Sequence, residues 1–231
     1  MNSQLSRQAI RACAGVLLAL CFSLLTCAAE ENTVDLSALT RETQQTIHKE
    51  HNMTIVWWVP EDFWQAAMAA SGDVTQKQID KVIKVVHPYT LVSVVDGEFG
   101  PFGGVSYKSE KVIRDQLTIL DAKGNAYKPM DVSEASPDLQ NLLASMKPML
   151  SNMLGPMGKN FNFYVFPGMT KDKKLIANAK AESNFTVQNG EEAFKWRLPL
   201  GSLLPPKTCA KCGEKLNGAF KFCPYDGTAL K

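Results

Sequence analysis

Four residues near the C-terminus combine types and spacing that suit metal coordination. Cys209 and Cys212 stand three positions apart in "CAKC", and Cys223 and Asp226 repeat that separation in "CPYD". A C-x-x-C turn points two thiolates at one ion, and a carboxylate is also an accepted zinc ligand. The two pairs therefore predict one site with four ligands.

A glycine follows each pair, Gly213 and Gly227, and allows the tight turn that aims backbone N–H groups at the ligands. With "CAKCG" at 209–213 and "CPYDG" at 223–227, residues 208–231 resemble the zinc-ribbon family, whose rubredoxin-type knuckles hold one metal ion. The resemblance implies one structural zinc ion bound by Cys209, Cys212, Cys223 and Asp226. The intervening "GEKLNGAFKF" is long enough for a hairpin with "NG" at its tip.

Asp226 stands where a fourth cysteine is expected. Aspartate carries the same charge as a thiolate, so a Cys₃Asp site keeps the net charge of Cys₄, although its hard oxygen weakens the preference for soft metals. Zinc contributes on the order of 10–16 kcal/mol in finger-like peptides, so we expect the tail to be disordered without metal. Two alternatives stay open: a redox or disulfide pair formed by Cys209 and Cys212, and a degenerate tail.

The N-terminus has a different composition. Arg7 and Arg11 precede an uncharged apolar run at 12–29. This order predicts a secretory signal at 1–29, cleaved after Ala29, with an uncleaved membrane anchor or lipidation of Cys27 as alternatives. The positive-inside rule then places the rest of the chain outside the cytoplasm, periplasmic or secreted, with membrane contact only if this segment is uncleaved or lipidated.

Removing the predicted signal changes the charge and the cysteine count. All 23 acidic residues follow Ala29, whereas two of the 25 basic residues precede it, which leaves 23 of each and a net charge of zero. Nucleic-acid binding draws its affinity from clustered positive charge, so the sequence excludes nucleic acid as the expected partner. Three of the six cysteines remain, and all three belong to the tail.

The elements that must position the tail form a body at 52–198. A polar, helical lead-in is predicted at 30–51, then a strand in "MTIVWWVP", a helix after Pro60 and a second helix in "QKQIDKVIKVV". The hairpin "RDQLTILDAKGNAYKP", a helical stretch divided by Pro148, and closing strands from Asn160 onward complete it. We predict an α+β fold, an antiparallel sheet or sandwich with helices at its start and middle. A Pro-rich linker at 199–207 leads to a small C-terminal zinc ribbon at 208–231.

Other candidate residues have ordinary structural interpretations. Four methionines at 146, 149, 153 and 157 could donate thioether ligands to copper, but their spacing among leucines favours buried packing. His48 and His51 lack the spacing of a zinc-protease motif and indicate a solvated helix. Trp57 and Trp58 must point to opposite sides of a strand.

No Ser/His/Asp or Cys/His set is legible in the sequence, so we expect a protein that is not an enzyme. The hypothesis is an exported binding or scaffold protein of the cell envelope, with a structural zinc ribbon and a protein or envelope component as its partner. An extracytoplasmic metal-handling protein and a thiol oxidoreductase are the alternatives.

Overall fold

In the computed structural model, which describes residues 34–231, two antiparallel sheets pack face to face, and helices cover the outer side of one of them. These residues form one compact unit. In chain order the elements are α1 (Leu36–Thr43), β1 (Gln44–Lys49), β2 (Asn52–Trp58), α2 (Glu61–Ala70), α3 (Gln76–Val86), β3 (Tyr89–Phe99), β4 (Val105–Tyr107), α4 (Glu110–Gln116), β5 (Leu117–Leu120), β6 (Ala126–Tyr127), α5 (Pro137–Leu154), α6 (Pro156–Asn160), β7 (Asn162–Pro167), β8 (Ser183–Asn189), β9 (Glu192–Leu198), β10 (Lys207–Thr208) and β11 (Lys215–Leu216). The predicted α+β class is confirmed.

The first sheet is built around β3. It pairs with β2 on one side, with β7 and β4 on the other, and β1 extends the sheet beyond β2. The second sheet has the order β6-β5-β8-β9, and the predicted hairpin with "DAKG" at its tip is its β5–β6 pair. All these pairings are antiparallel, as the sequence predicted.

The core between the sheets is apolar and aromatic. Trp58 of β2 lies edge-to-face on Phe185 of β8 with ring centroids 4.8 Å apart, and Phe185 stacks on Trp196 of β9 at 5.1 Å. Phe185 and Trp196 point inward because buried and exposed residues alternate along both strands. Trp57 points to the other face of its sheet, where it meets Phe63 of α2 at 5.0 Å. The two adjacent tryptophans therefore serve two different cores.

Helices α2, α3 and α5 cover the outer face of the first sheet, with Trp64, Val86 and Leu139 buried there. Thr75 and Gln78 form a capping box at the start of α3, and Ser136 caps α5 through the N–H of Leu139. Pro148 does not divide α5, which continues to Leu154, so that prediction was wrong.

Two further predictions are corrected by the structure. The lead-in is helical only to Thr43, since residues 44–49 form β1 and pair residue by residue with β2. Residues 114–116, assigned to the hairpin, are instead the end of α4, which Ser109 caps at its start. In the first segment, pairing with β2 outweighs the local helix propensity. In the second segment, the Ser109 cap outweighs the local strand propensity.

The predicted linker at 199–207 contains a turn of 3₁₀ helix at Gly201–Leu203, and Leu200 is buried in the inter-sheet core. The predicted signal at 1–29 lies outside the described residues. Between residues 34 and 231, no helix combines the length and apolar character needed to cross a membrane.

Candidate metal centre

The C-terminal ribbon repeats one turn twice. In the first knuckle, the N–H of Gly213 donates to the carbonyl of Cys209 at 2.9 Å, and the N–H of Gly227 makes the same 2.9 Å bond to Cys223 in the second. The two glycines have φ of 76° and 73°, which favours glycine over residues with a Cβ. Asp226 therefore occupies in the second knuckle the position that Cys212 occupies in the first.

Each knuckle lies inside its own short antiparallel pair, and this corrects the predicted hairpin. β10 and β11 flank the first knuckle, while an isolated bridge between Phe222 and Ala229 flanks the second. The "NG" at 217–218 follows β11 instead of forming the tip of a hairpin between the knuckles. Strand pairing closes across each knuckle separately, so the chain between the knuckles is not used to pair one knuckle with the other.

The four predicted ligands converge. One ligand atom from each of Cys209, Cys212, Cys223 and Asp226 lies within 4.8 Å of all the others. The sulfurs of Cys212 and Cys223 are 3.7 Å apart, and the Cys209 sulfur lies 3.5 Å from the nearer Asp226 oxygen. These four side chains could bind one metal ion between them.

These two separations are those expected of a tetrahedral centre. Zn–S bonds of about 2.3 Å at a tetrahedral angle put two sulfurs about 3.8 Å apart, and a Zn–O bond of about 2.1 Å puts oxygen about 3.6 Å from sulfur. A disulfide requires about 2.05 Å between sulfurs, and all three cysteines are free thiols. The donor set and its spacing therefore fit a four-coordinate metal ion.

Backbone N–H groups in the knuckles favour anionic ligands. The N–H of Cys212 lowers the pKa of the Cys209 thiol against the opposing effect of burial. The N–H and hydroxyl of Thr228 lower the pKa of Asp226 to about 2, and that N–H donates to the carboxylate at 2.9 Å. Asp226 is therefore ionised and ready to coordinate at neutral pH.

Cys212 differs from the other thiols. The N–H of Glu214 lowers its pKa, but desolvation and the neighbouring sulfurs of Cys209 and Cys223 outweigh this and raise the pKa to about 11. Adding negative charge beside another thiolate is unfavourable until a cation neutralises it. Cys212 is also exposed, whereas Cys209 and Cys223 are buried, so the site has one open side.

The ribbon is held against the body by Glu42, a residue that sequence analysis missed. One oxygen of its carboxylate accepts from the side chain of Asn217 at 2.8 Å, and the other accepts from the N–H and hydroxyl of Ser202 at 2.9 and 2.6 Å. Gly201 packs so closely on Asn217 that a Cβ there would overlap the amide oxygen. A glutamate at the end of a polar helix gives no sequence signal for this role.

The other candidates do not form a site. His48 lies in β1 and His51 in the turn after it, not on a shared helix face. Met146 and Met157 pack against the body, but Met149 and Met153 are 45% and 71% exposed, so the prediction of buried packing was wrong for these two.

A buried polar cluster between the sheets was also missed. Asp96 is 1% exposed, and one of its oxygens accepts from Lys108 at 2.7 Å and from Asn189 at 3.2 Å. Lys108 follows β4 and Asn189 ends β8, so the cluster joins the two sheets. Its members lie far apart in the sequence and share no motif, which hides them until the strands are paired.

No protein-family model, curated protein or solved structure matches this chain.

Proposed function

We propose that the chain is an exported, non-enzymatic binding or scaffold protein of the cell envelope whose C-terminal ribbon is held in shape by one structural zinc ion. The observation that carries this proposal is the convergence of Cys209, Cys212, Cys223 and Asp226 within 4.8 Å. Four protein ligands fill a tetrahedral zinc ion and leave no position for a substrate, which is the usual arrangement of a structural site.

The small size of the ribbon supports a structural role for the ion. Its buried cluster consists of Cys209, Leu216 and Cys223, and two of these three side chains are ligands. Burying a single leucine contributes about 1.5–3 kcal/mol, far less than zinc supplies in small finger domains. Metal coordination is therefore the main source of ribbon stability in this proposal.

Zinc suits the donor set better than the alternatives. Mg²⁺ and Ca²⁺ prefer oxygen ligands, so a site with three thiolates does not favour them. Cuprous copper prefers soft sulfur ligands, so the carboxylate makes the site less suited to it. The proposal that the protein is exported rests only on the charge pattern of residues 1–29.

A second candidate, metal handling, is favoured by one observation: Cys212 is exposed, which gives a chelator or a partner thiol access to the site. In that case the ion would exchange readily, whereas a structural ion would not.

Metal content and free thiols, measured on protein recovered from its exported location, test both candidates. We expect one zinc per chain that exchanges slowly with a chelator, and less zinc in Asp226→Ala because it lacks the fourth ligand. Asp172→Ala, which removes an exposed aspartate outside the four-residue cluster, is the matched control and should keep its zinc.

Fast exchange or bound copper would favour metal handling over the structural role. Metal-free protein with a reversible disulfide between Cys209 and Cys212 would contradict both and support the thiol oxidoreductase alternative.

A further inference from the structure

We propose that the groove between the ribbon and the outer face of β8 and β9 binds an extended acidic polypeptide segment. This inference rests on the proposed function, because one wall of the groove belongs to the ribbon and depends on the metal for its fold. It names the chemistry of the partner that the proposed function leaves open.

The groove has a volume of about 1000 Å³ and two chemically similar walls. Lys195 and Arg197 project from β9 on the sheet wall, and Lys207 and Lys221 line the ribbon wall. The ribbon wall packs tightly against the segment that precedes it, because a Cβ on Gly218 would overlap Leu204 and the carbonyl of Pro205. The groove is therefore formed by packed elements on both sides.

Its positive charge is uncompensated. Glu182 is the only acidic residue among the lining residues, against four basic ones. Within residues 34–231, none of these four basic side chains forms an ion pair, and Lys207 instead donates to the carbonyl of Phe220 at 2.9 Å. A cleft lined by one sign of charge concentrates ligands of the opposite sign.

The spacing of the charges suits an extended chain. Lys195 and Arg197 point outward on either side of buried Trp196, and two residues of a strand span about 6.6–6.8 Å. An extended peptide has the same repeat, so acidic side chains at alternate positions would meet both charges. Thr186 and Asn184, which pair with Lys195 and Arg197 across the strands, offer hydrogen-bonding groups beside them.

A polypeptide fits this groove better than other polyanions. Proteins that bind single-stranded nucleic acid stack bases on exposed aromatic rings, but the aromatic side chains that line this groove, Phe185 and Trp196, are 1% and 2% exposed. A lipid surface is flat on this scale and does not enter a cleft between two walls. Acidic side chains on a flexible polypeptide backbone can reach both walls of the groove.

Fluorescence anisotropy with a fluorescein-labelled peptide of alternating aspartate and serine tests the proposal on zinc-loaded, full-length protein. We expect saturable, salt-sensitive binding that weakens at least about tenfold in Lys195→Gln/Arg197→Gln, because two charge-assisted contacts are lost. The matched control, Lys171→Gln/Lys174→Gln, removes two exposed lysines outside the groove and should bind like wild type. Lys195→Glu/Arg197→Glu should instead bind a peptide of alternating lysine and serine.

Equal weakening in the groove and control variants overturns the proposal, as does tighter binding of a single-stranded oligonucleotide or of vesicles containing phosphatidylglycerol. Zinc is measured on the same samples. If zinc-loaded protein does not bind the peptide, the groove proposal is overturned but the zinc proposal is not. Metal-free protein that binds it through Lys195 and Arg197 supports the groove and overturns the zinc proposal.

Discussion

Glu42 and Asn217 form a hydrogen bond of 2.8 Å across 175 residues of sequence, and this bond ties the first described helix to the C-terminal ribbon. The same carboxylate binds Ser202, so α1, the segment after β9 and the ribbon meet at one side chain. The position of the candidate metal centre relative to the sheets therefore depends on Glu42.

Replacing Glu42 with alanine should destabilise the protein. The donors of Asn217 and Ser202 lose their acceptor, so we expect the free energy of unfolding to fall by about 1–3 kcal/mol. Urea denaturation checks this, with Glu191→Ala, an exposed glutamate in a hairpin turn, as the control. The hydrogen bonds of Glu42 to Asn217 and Ser202 are here called the clamp. A loss no larger than that of the control would show that the clamp does not contribute to the free energy of unfolding.

Replacing Asp226 with cysteine should strengthen metal binding and make it more selective. The variant completes a Cys₄ site, so we expect a higher affinity for soft Cd²⁺ relative to Zn²⁺ than in wild type. Asp226→Ala should instead lose at least about 100-fold in zinc affinity, since even changes in residues that only support metal ligands cost 10–100-fold. Chelator competition measures both, and identical affinities in all three proteins would show that Asp226 is not a ligand.

The contribution of the Asp121 carboxylate to the stability of the fold should depend measurably on pH. Burial raises the pKa of this carboxyl, but hydrogen bonds from Asn125, Tyr127 and Lys123 outweigh burial and hold the pKa below its ordinary value of 3.8. A depressed carboxyl pKa stabilises the fold above the unfolded value, and that contribution disappears as the pH falls through the folded value.

We therefore expect Asp121→Asn to cost about 1 kcal/mol at neutral pH and progressively less below pH 3.8, where the wild-type carboxyl also becomes neutral. Denaturation midpoints of the two proteins at neutral and acidic pH supply the comparison. A difference that grows with acid would contradict the sign of this linkage.

The ion pair of Asp96 and Lys108 should show strong coupling. Lys108→Met leaves a buried carboxylate without its cation, and because Lys108 is 44% exposed, water screens the pair and we expect a loss of about 2 kcal/mol. The double variant Asp96→Asn/Lys108→Met should be more stable than Lys108→Met alone. Additive losses in this double-mutant cycle would show that the two groups do not interact.

Much of the fold was predictable because its signals are local. The helix in "QKQIDKVIKVV" and the turn of the hairpin in "RDQLTILDAKGNAYKP" each depend on about a dozen neighbouring residues or fewer, and both lie where the sequence placed them. The knuckles are equally local, which is why the four side chains that converge could be named in advance.

The features that the sequence did not predict depend on distant partners. β1 is a strand because β2 lies beside it. Met149 is exposed because its neighbour Leu150 is the residue that faces the sheet, and Met153 is exposed beyond Leu150, the last buried residue of α5. Glu42, Asp96 and the walls of the basic groove acquire their roles only when separate segments meet. Periodicity and spacing within one segment carry no information about such contacts.

The bond between Glu42 and Asn217 also constrains the order of folding. During synthesis from the N-terminus, α1 and both sheets are complete before Asn217 exists, so the clamp closes only when the end of the chain has been made. A chain that stops before the ribbon leaves the Glu42 carboxylate without Asn217. The clamp thus distinguishes a chain that includes Asn217 from any product that ends before it.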